Sequence, residues 1–177
     1  MKVKNLTLIA IFTALIAVLT FITIPNPVTG VPITLQTFAV CLTGFFLGAK
    51  FGTVSVVAYI LIGLAGVPVF AGFKAGISVL AGPTGGFLIG FIFMALICGC
   101  AKKSKNQFLQ ILLGVCGLAV CHSFGAVQYS LYSKSSLIAS FLAVSLPFLV
   151  KDVISVVIAL YAAKAVNRIL SKNRINV

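Results

Sequence analysis

Five stretches of this chain, at about residues 6–24, 32–49, 52–66, 83–101 and 107–128, contain no Asp, Glu, Lys or Arg, and a sixth at about 147–166 is nearly as apolar. An α-helix needs roughly 20 apolar residues to cross the hydrocarbon of a bilayer. The chain has 177 residues, of which 61% are hydrophobic and 8% charged, and Asp152 is its only acidic residue. Soluble domains have about 45–50% apolar and about 25% charged residues, so this chain cannot cover itself with a water-facing surface. It can be covered by lipid. The fold class expected is an all-α membrane protein of six transmembrane helices forming one domain over residues 1–177, with short loops and no separate soluble domain. The first apolar run is longer than a signal-peptide core of about 7–15 residues and lacks an A-x-A cleavage site. It leads into the turn Pro25-Asn-Pro-Val-Thr-Gly30, and reads as a retained first span. Residues 67–82 are apolar but broken by glycines. They read as a re-entrant loop buried in the bundle, because irregular backbone at membrane depth must be covered by protein or line a cavity. Residues 133–146 read as a loop with a short surface helix, and Pro147 suits the first turn of the helix that follows.

The basic residues test this topology. With the N-terminus inside, Lys2, Lys4, Lys50, Lys102, Lys103, Lys105, Lys164, Arg168, Lys172 and Arg174 fall on one side, and only Lys74 and Lys134 on the other. This is a positive-inside asymmetry, and it predicts that both termini are cytoplasmic. It also accounts for the net charge of +12 without nucleic acid, since the cations are spread over loop ends and a tail with no aromatic platform beside them. Cys41, Cys98, Cys100, Cys116 and Cys121 all lie within apolar runs and lack zinc-finger spacing, so they read as small buried side chains with neither metal nor disulfide.

An ionisable residue inside a span is costly and is by default a functional candidate. Asp152 lies roughly 8 Å below the outer end of the last helix at 1.5 Å per residue, which points to an outward-facing pocket with one carboxylate at its base. The alternative is an Asp favoured by the helix macrodipole and paired with Lys151. Lys151 and Ser155 lie one turn apart and share a face. Lys151 either faces the pocket or snorkels to the interface, and Lys74 reaches towards the same pocket from the re-entrant loop. Gln128, near the outer end of the fifth span, offers a donor to a ligand. His122 has no Cys or carboxylate at ligand spacing and reads as a hydrogen-bonded structural residue. Gly82-Pro-Thr-Gly-Gly86 lacks the Lys-Ser/Thr ending of a P-loop; its glycines suit a sharp entry into the fourth helix and close packing. Ala10 and Ala14 form a small-x-x-x-small face on the first span, suited to internal packing or to docking another membrane subunit. No acid–base pair, activated nucleophile or metal set stands out, which excludes an enzyme reading. A channel needs a ring of polar groups, and these spans are too apolar. A single-site binding protein fits, with a small, partly apolar ligand rich in N–H donors.

Val31-Pro-Ile-Thr-Leu-Gln-Thr37, Gly66-Val-Pro-Val-Phe70, Gly82-Pro-Thr-Gly-Gly-Phe87 and Pro147-Phe148 followed by a helical Asp resemble the BioY family, with all segments in order from about residue 5 to 166. BioY proteins are biotin-binding S components of energy-coupling factor (ECF) transporters of prokaryotic cell membranes. The resemblance implies six helices, a biotin site near the outer face with residues 25–31 as its lid, and partners in a transmembrane coupling protein and two ATPase subunits. ATP is then used only by those partners, and the chain has no cofactor. The implied biotin site comprises Asp152, Lys74, Lys151, Ser155, Gln128, Gln36, Gly85 and Gly86, and the docking face Ala10 and Ala14. Two positions depart from the family pattern. Ser155 stands where members often have a Lys, and Leu88 where some have an Arg. Lys74 or Lys151 is expected to supply the missing cation. A carboxylate suits the N–H groups of biotin's ureido ring, a cation suits its carbonyl, and apolar side chains suit the thiophane ring. The remaining readings are an S component for another vitamin and an assembly subunit without a ligand.

Overall fold

The computed structural model describes residues 3–172; Lys2 and Arg174, two of the cations assigned to the inner side, lie outside the described residues. The elements in chain order are α1 (Val3–Phe21), β1 (Thr23–Ile24), β2 (Ile33–Thr34), α2 (Gln36–Leu64), α3 (Ser78–Ala81), α4 (Gly85–Ala101), α5 (Gln107–Ser133), α6 (Leu137–Val144) and α7 (Leu146–Lys172). Four of these, α1, α2, α5 and α7, are long and apolar enough to cross a membrane, and α4 is a shorter apolar helix.

The element α2 is two helical arms joined by a reversal. Gly48 has φ 81° and ψ 175°, a backbone conformation outside the helical region and open to glycine because it has no Cβ. The arms, 36–47 and 49–64, run back along each other. Gln36 Nε2 donates to Tyr59 Oη at 3.0 Å, whereas 23 residues of continuous helix would separate them by about 35 Å. The reversal is closed from outside by Lys102, whose Nζ donates to the Phe46 carbonyl at 2.6 Å, one of the orphan acceptors at the end of the first arm.

Helices in lipid gain little from hydrophobic burial against one another, so close approach and dispersion matter more. Small residues provide that approach here. A Cβ on Gly44 would come within 2.7 Å of the Ala95 carbonyl oxygen, and one on Gly114 within 2.5 Å of a Val156 methyl group. These contacts close α2 onto α4 and α5 onto α7. The interior is filled by Phe12, Ile16, Val40, Phe45, Tyr59, Met94, Leu118, Val156 and Leu160. Thr13 Oγ1 donates to the Ser55 carbonyl at 3.1 Å, tying α1 to the second arm of α2.

The chain departs from simple span-and-loop alternation mainly at one end. The first helix ends at Phe21, and the residues after it pair as a short antiparallel hairpin, Thr23 with Thr34 and Ile24 with Ile33. β-branched residues at these positions favour extended pairing over another helical turn. The turn between the strands is organised by Asn26, whose Oδ1 accepts from the Val28 and Thr29 amides at 3.1 and 3.4 Å. The stretch 65–84 is irregular apart from α3 and a single bridge between Phe70 and Lys74. Within 133–146 the helix α6 is capped by Ser136, whose hydroxyl accepts from the Ala139 amide at 3.3 Å. α5 continues to Ser133 and α7 to Lys172, past the apolar runs ending near 128 and 166. An apolar run marks what lipid can cover, while a helix continues wherever backbone hydrogen bonding does.

Candidate functional site

The hairpin β1–β2, the N-terminus of α2, the stretch 70–84, the first turns of α4, the later half of α5 and the start of α7 converge at one end of the bundle. They enclose a cavity of about 920 Å³. Val31, Phe70, Phe87, Leu88, Phe91 and Phe148 line it with apolar surface. Gln36, Lys74, His122, Lys151 and Asp152 bring the polar and ionisable groups. This combination, apolar walls with a few placed polar groups, suits a small organic ligand.

Asp152 is 3% exposed. α7 begins at Leu146, so the carboxylate enters the cavity from the second turn of the helix. Both of its oxygens are engaged. Oδ2 lies 3.2 Å from His122 Nε2, and Oδ1 forms an ion pair with Lys151. Lys151 Nζ also donates to the Thr34 carbonyl at 2.9 Å, so one ammonium joins the carboxylate to strand β2. A buried carboxylate needs pairing and hydrogen bonding: His122 hydrogen-bonds Oδ2 and Lys151 pairs the charge at Oδ1, an oxygen that has no well-formed hydrogen bond among the described residues. His122 is equally buried and stands edge-on to Phe87, with ring centroids 5.7 Å apart.

Of the residues expected from sequence, four meet in the cavity lining: Asp152, Lys151, Lys74 and Gln36. Gln36 is held by its bond to Tyr59, whose hydroxyl donates in turn to the Val69 carbonyl at 3.0 Å. This chain of bonds connects the start of α2 to the stretch carrying Lys74. Lys74 itself is exposed.

The other four stand behind the lining. Gln128 Nε2 donates to the carbonyls of Leu80 and Gly82 at 3.2 and 3.5 Å, fixing the end of α3. Ser155 Oγ donates to the Lys151 carbonyl at 2.9 Å, one turn back along its own helix. Gly85 lies against the Leu80 backbone and Gly86 against the Phe124 backbone, where any side chain would collide. All four position the walls rather than face the cavity. Ala10 and Ala14 are exposed on α1, on a surface with Leu6, Ile11 and Val18.

His122 is the residue whose place in the site sequence reasoning missed. It is the only histidine, but its partner is 30 positions away on another helix, so no local spacing links them. Among the described residues no group of three or more His, Cys, Asp or Glu side chains is arranged to hold a metal ion. The site offers a fixed anion, two lysines and an amide: equipment for binding rather than for bond-making.

Comparison with known proteins agrees over nearly the whole chain. It is 41% identical over 160 residues to the biotin transporter BioY of Thermotoga maritima, covering 88% of this chain and 91% of that protein. It is 35% identical over 164 residues to the probable biotin transporter BioY of Pyrococcus horikoshii, covering 93% and 96% respectively. The fold matches the crystal structure of the S-component for biotin from an ECF-type ABC transporter with a TM-score of 0.87 and 31% identity, over 94% of this chain and 92% of that one. The model of the BioY family matches residues 1–172, and the chain belongs to that family.

Proposed function

We propose that this protein is the biotin-binding membrane subunit, the S component, of an ECF-type transporter and serves biotin uptake. The observation that carries the reading is the carboxylate in the cavity lining. The only acidic side chain of the protein stands there, buried and hydrogen-bonded, inside a fold similar to a biotin S-component. Asp152 accepts from the ureido N–H groups of biotin, and the phenylalanine walls cover the thiophane ring. Lys151 and Gln36 line the same cavity and supply donors for the ureido carbonyl. Lys74 is exposed, and the single acidic side chain of the protein is already engaged by Lys151 and His122. Among the described residues Lys74 is therefore the cation of the lining without an acidic partner, suited to the carboxylate end of the ligand. Gln128, Ser155, Gly85 and Gly86 act from behind, by holding the elements that carry these groups.

The protein is not an enzyme. It spans the cell membrane of a prokaryote six times, through α1, the two arms of α2, α4, α5 and α7, with both termini cytoplasmic and the cavity opening outwards. The charge pattern supports this orientation: Lys50, Lys102, Lys103 and Lys105 sit at the turns away from the cavity. The energising partners are a transmembrane coupling protein and two ATPase subunits, so ATP is used outside this chain, and no cofactor is needed. The exposed Ala10 and Ala14 suit close helix–helix docking on α1.

Equilibrium binding of radiolabelled biotin to the purified protein tests the reading. Saturable binding at submicromolar biotin is expected. Its absence, or equal competition by unrelated vitamins, would overturn it in favour of another ligand or of an assembly role.

A further inference from the structure

His122 and Lys151 hold the two oxygens of Asp152 in different ways. The Lys151 side chain is 30% exposed and shared with the Thr34 carbonyl, whereas that of His122 is 4% exposed. The imidazole is also enclosed. Its ring meets Phe87 edge-on. Three residues further along α5, Gly125 lies so close to Phe87 that a Cβ there would come within 2.5 Å of the ring. Two turns earlier, Gly114 brings α5 against Val156 of α7. His122 therefore has little room to turn away from Asp152. Its Nδ1 is buried with no hydrogen-bond partner among the described residues, so a single proton on Nε2, donated to Asp152, is the arrangement that meets the ring's needs.

We propose that His122 is a positioning residue for ligand recognition. By donating from Nε2 to Oδ2, it fixes the plane of the Asp152 carboxylate and leaves the remaining lone pairs aimed into the cavity. An ionised carboxylate accepts about four hydrogen bonds, so the bond from His122 orients the group without using it up. Lys151 is the exchangeable donor and His122 the permanent one. This assignment rests on the proposed biotin function and adds to it a residue that acts through Asp152 without needing to touch the ligand.

The test combines a binding cycle with spectroscopy. Biotin affinity is measured for wild type, His122→Ala, His122→Gln, Asp152→Asn and the His122→Ala/Asp152→Asn double variant. Loss of a buried donor to a carboxylate is expected to weaken binding about tenfold in His122→Ala. His122→Gln, whose amide keeps a donor at similar reach, should recover most of that loss. In the Asp152→Asn background the same alanine change should cost less than about twofold, because coupled residues are not additive. Wild-type affinity in His122→Ala, or an undiminished loss in the Asp152→Asn background, would overturn the proposal.

The chain has one histidine, so with a histidine-free affinity tag every imidazole ¹⁵N signal belongs to His122. Wild type should show Nε2 protonated and Nδ1 bare, and Asp152→Ala should disturb that pattern. An unchanged pattern in Asp152→Ala overturns the coupling even if the alanine variant of His122 fails to fold. If wild type shows the coupled pattern but binds no biotin, the ligand assignment falls, and the recognition role of His122 falls with it.

Discussion

Each end of the bundle uses a lysine to hold a backbone carbonyl, and the two lysines have different consequences. At the end away from the cavity, Lys102 donates to the Phe46 carbonyl and lies 5.9 Å from the centre of the Phe46 ring. Among the described residues no acidic side chain pairs with it, and the bond closes the reversal at Gly48. At the cavity end, Lys151 donates to the Thr34 carbonyl but is also paired with Asp152. The first lysine fixes a turn between two helical arms. The second joins a hairpin over the cavity to the group that would meet the ligand. The same bond is a staple where nothing competes for the ammonium, and an exchangeable link where a carboxylate and an incoming ligand do.

The comparison is broken most severely at Asp152. Asp152→Asn keeps the shape and removes the charge, so the fold should survive while Lys151 and His122 both lose their anionic partner. Charge-assisted hydrogen bonds contribute about 1.5–3 kcal/mol each. Biotin affinity is therefore expected to fall at least tenfold, with a circular-dichroism melt close to that of wild type. Unchanged affinity would make Asp152 a structural residue. Lys151→Ala should come next, weakening biotin by roughly threefold to tenfold, since one charge-assisted contact is lost while His122 still holds the carboxylate. It should also speed amide hydrogen exchange at Ile33 and Thr34, because β2 loses its tie to α7. Normal exchange in that strand would remove the link between the carboxylate and the hairpin. Lys102→Met should show the opposite profile: about 1 kcal/mol of stability lost with one hydrogen bond, and biotin affinity within twofold of wild type. A large affinity change there would mean that the two ends are coupled.

The sequence made the two ends unequally legible. Apolar runs and lysine clusters revealed the helices and the turns between them, because lipid imposes its requirements residue by residue along each helix. The turn at Gly48 was visible as a joint for that reason. Asp152 was equally visible, as the only acid of the chain. The ion pair with Lys151 was one of the readings left open, because successive residues of a helix point in different directions. The bond to His122 was not legible, because it depends on how α5 and α7 pack through Gly114 and Val156. The hairpin was hidden as well. Two pairs of residues are too few for a strand pattern, and their pairing is set by the turn at Asn26 and the anchor from Lys151. Gln128 and the glycines at 85 and 86 were expected in the site but stand behind the cavity lining, because their contacts to Leu80, Gly82 and Phe124 exist only after the irregular stretch has folded over α4 and α5.

The smallest expected effect concerns Ser155, the position where the family often carries a lysine. Its hydroxyl is already committed to the Lys151 carbonyl, a back-bond that typically contributes little to a helix and can even bend it. The residue is 6% exposed, so loss of its hydroxyl should leave no polar group stranded, because the Lys151 carbonyl retains its helical hydrogen bond. Ser155→Ala should therefore change stability by less than about 0.5 kcal/mol and leave biotin affinity within twofold, measured in the same assay as Lys151→Ala. Affinity lost in Ser155→Ala but kept in Lys151→Ala would reverse the roles assigned here. The hydroxyl would then be the ligand's donor, and the lysine only a strut for the hairpin.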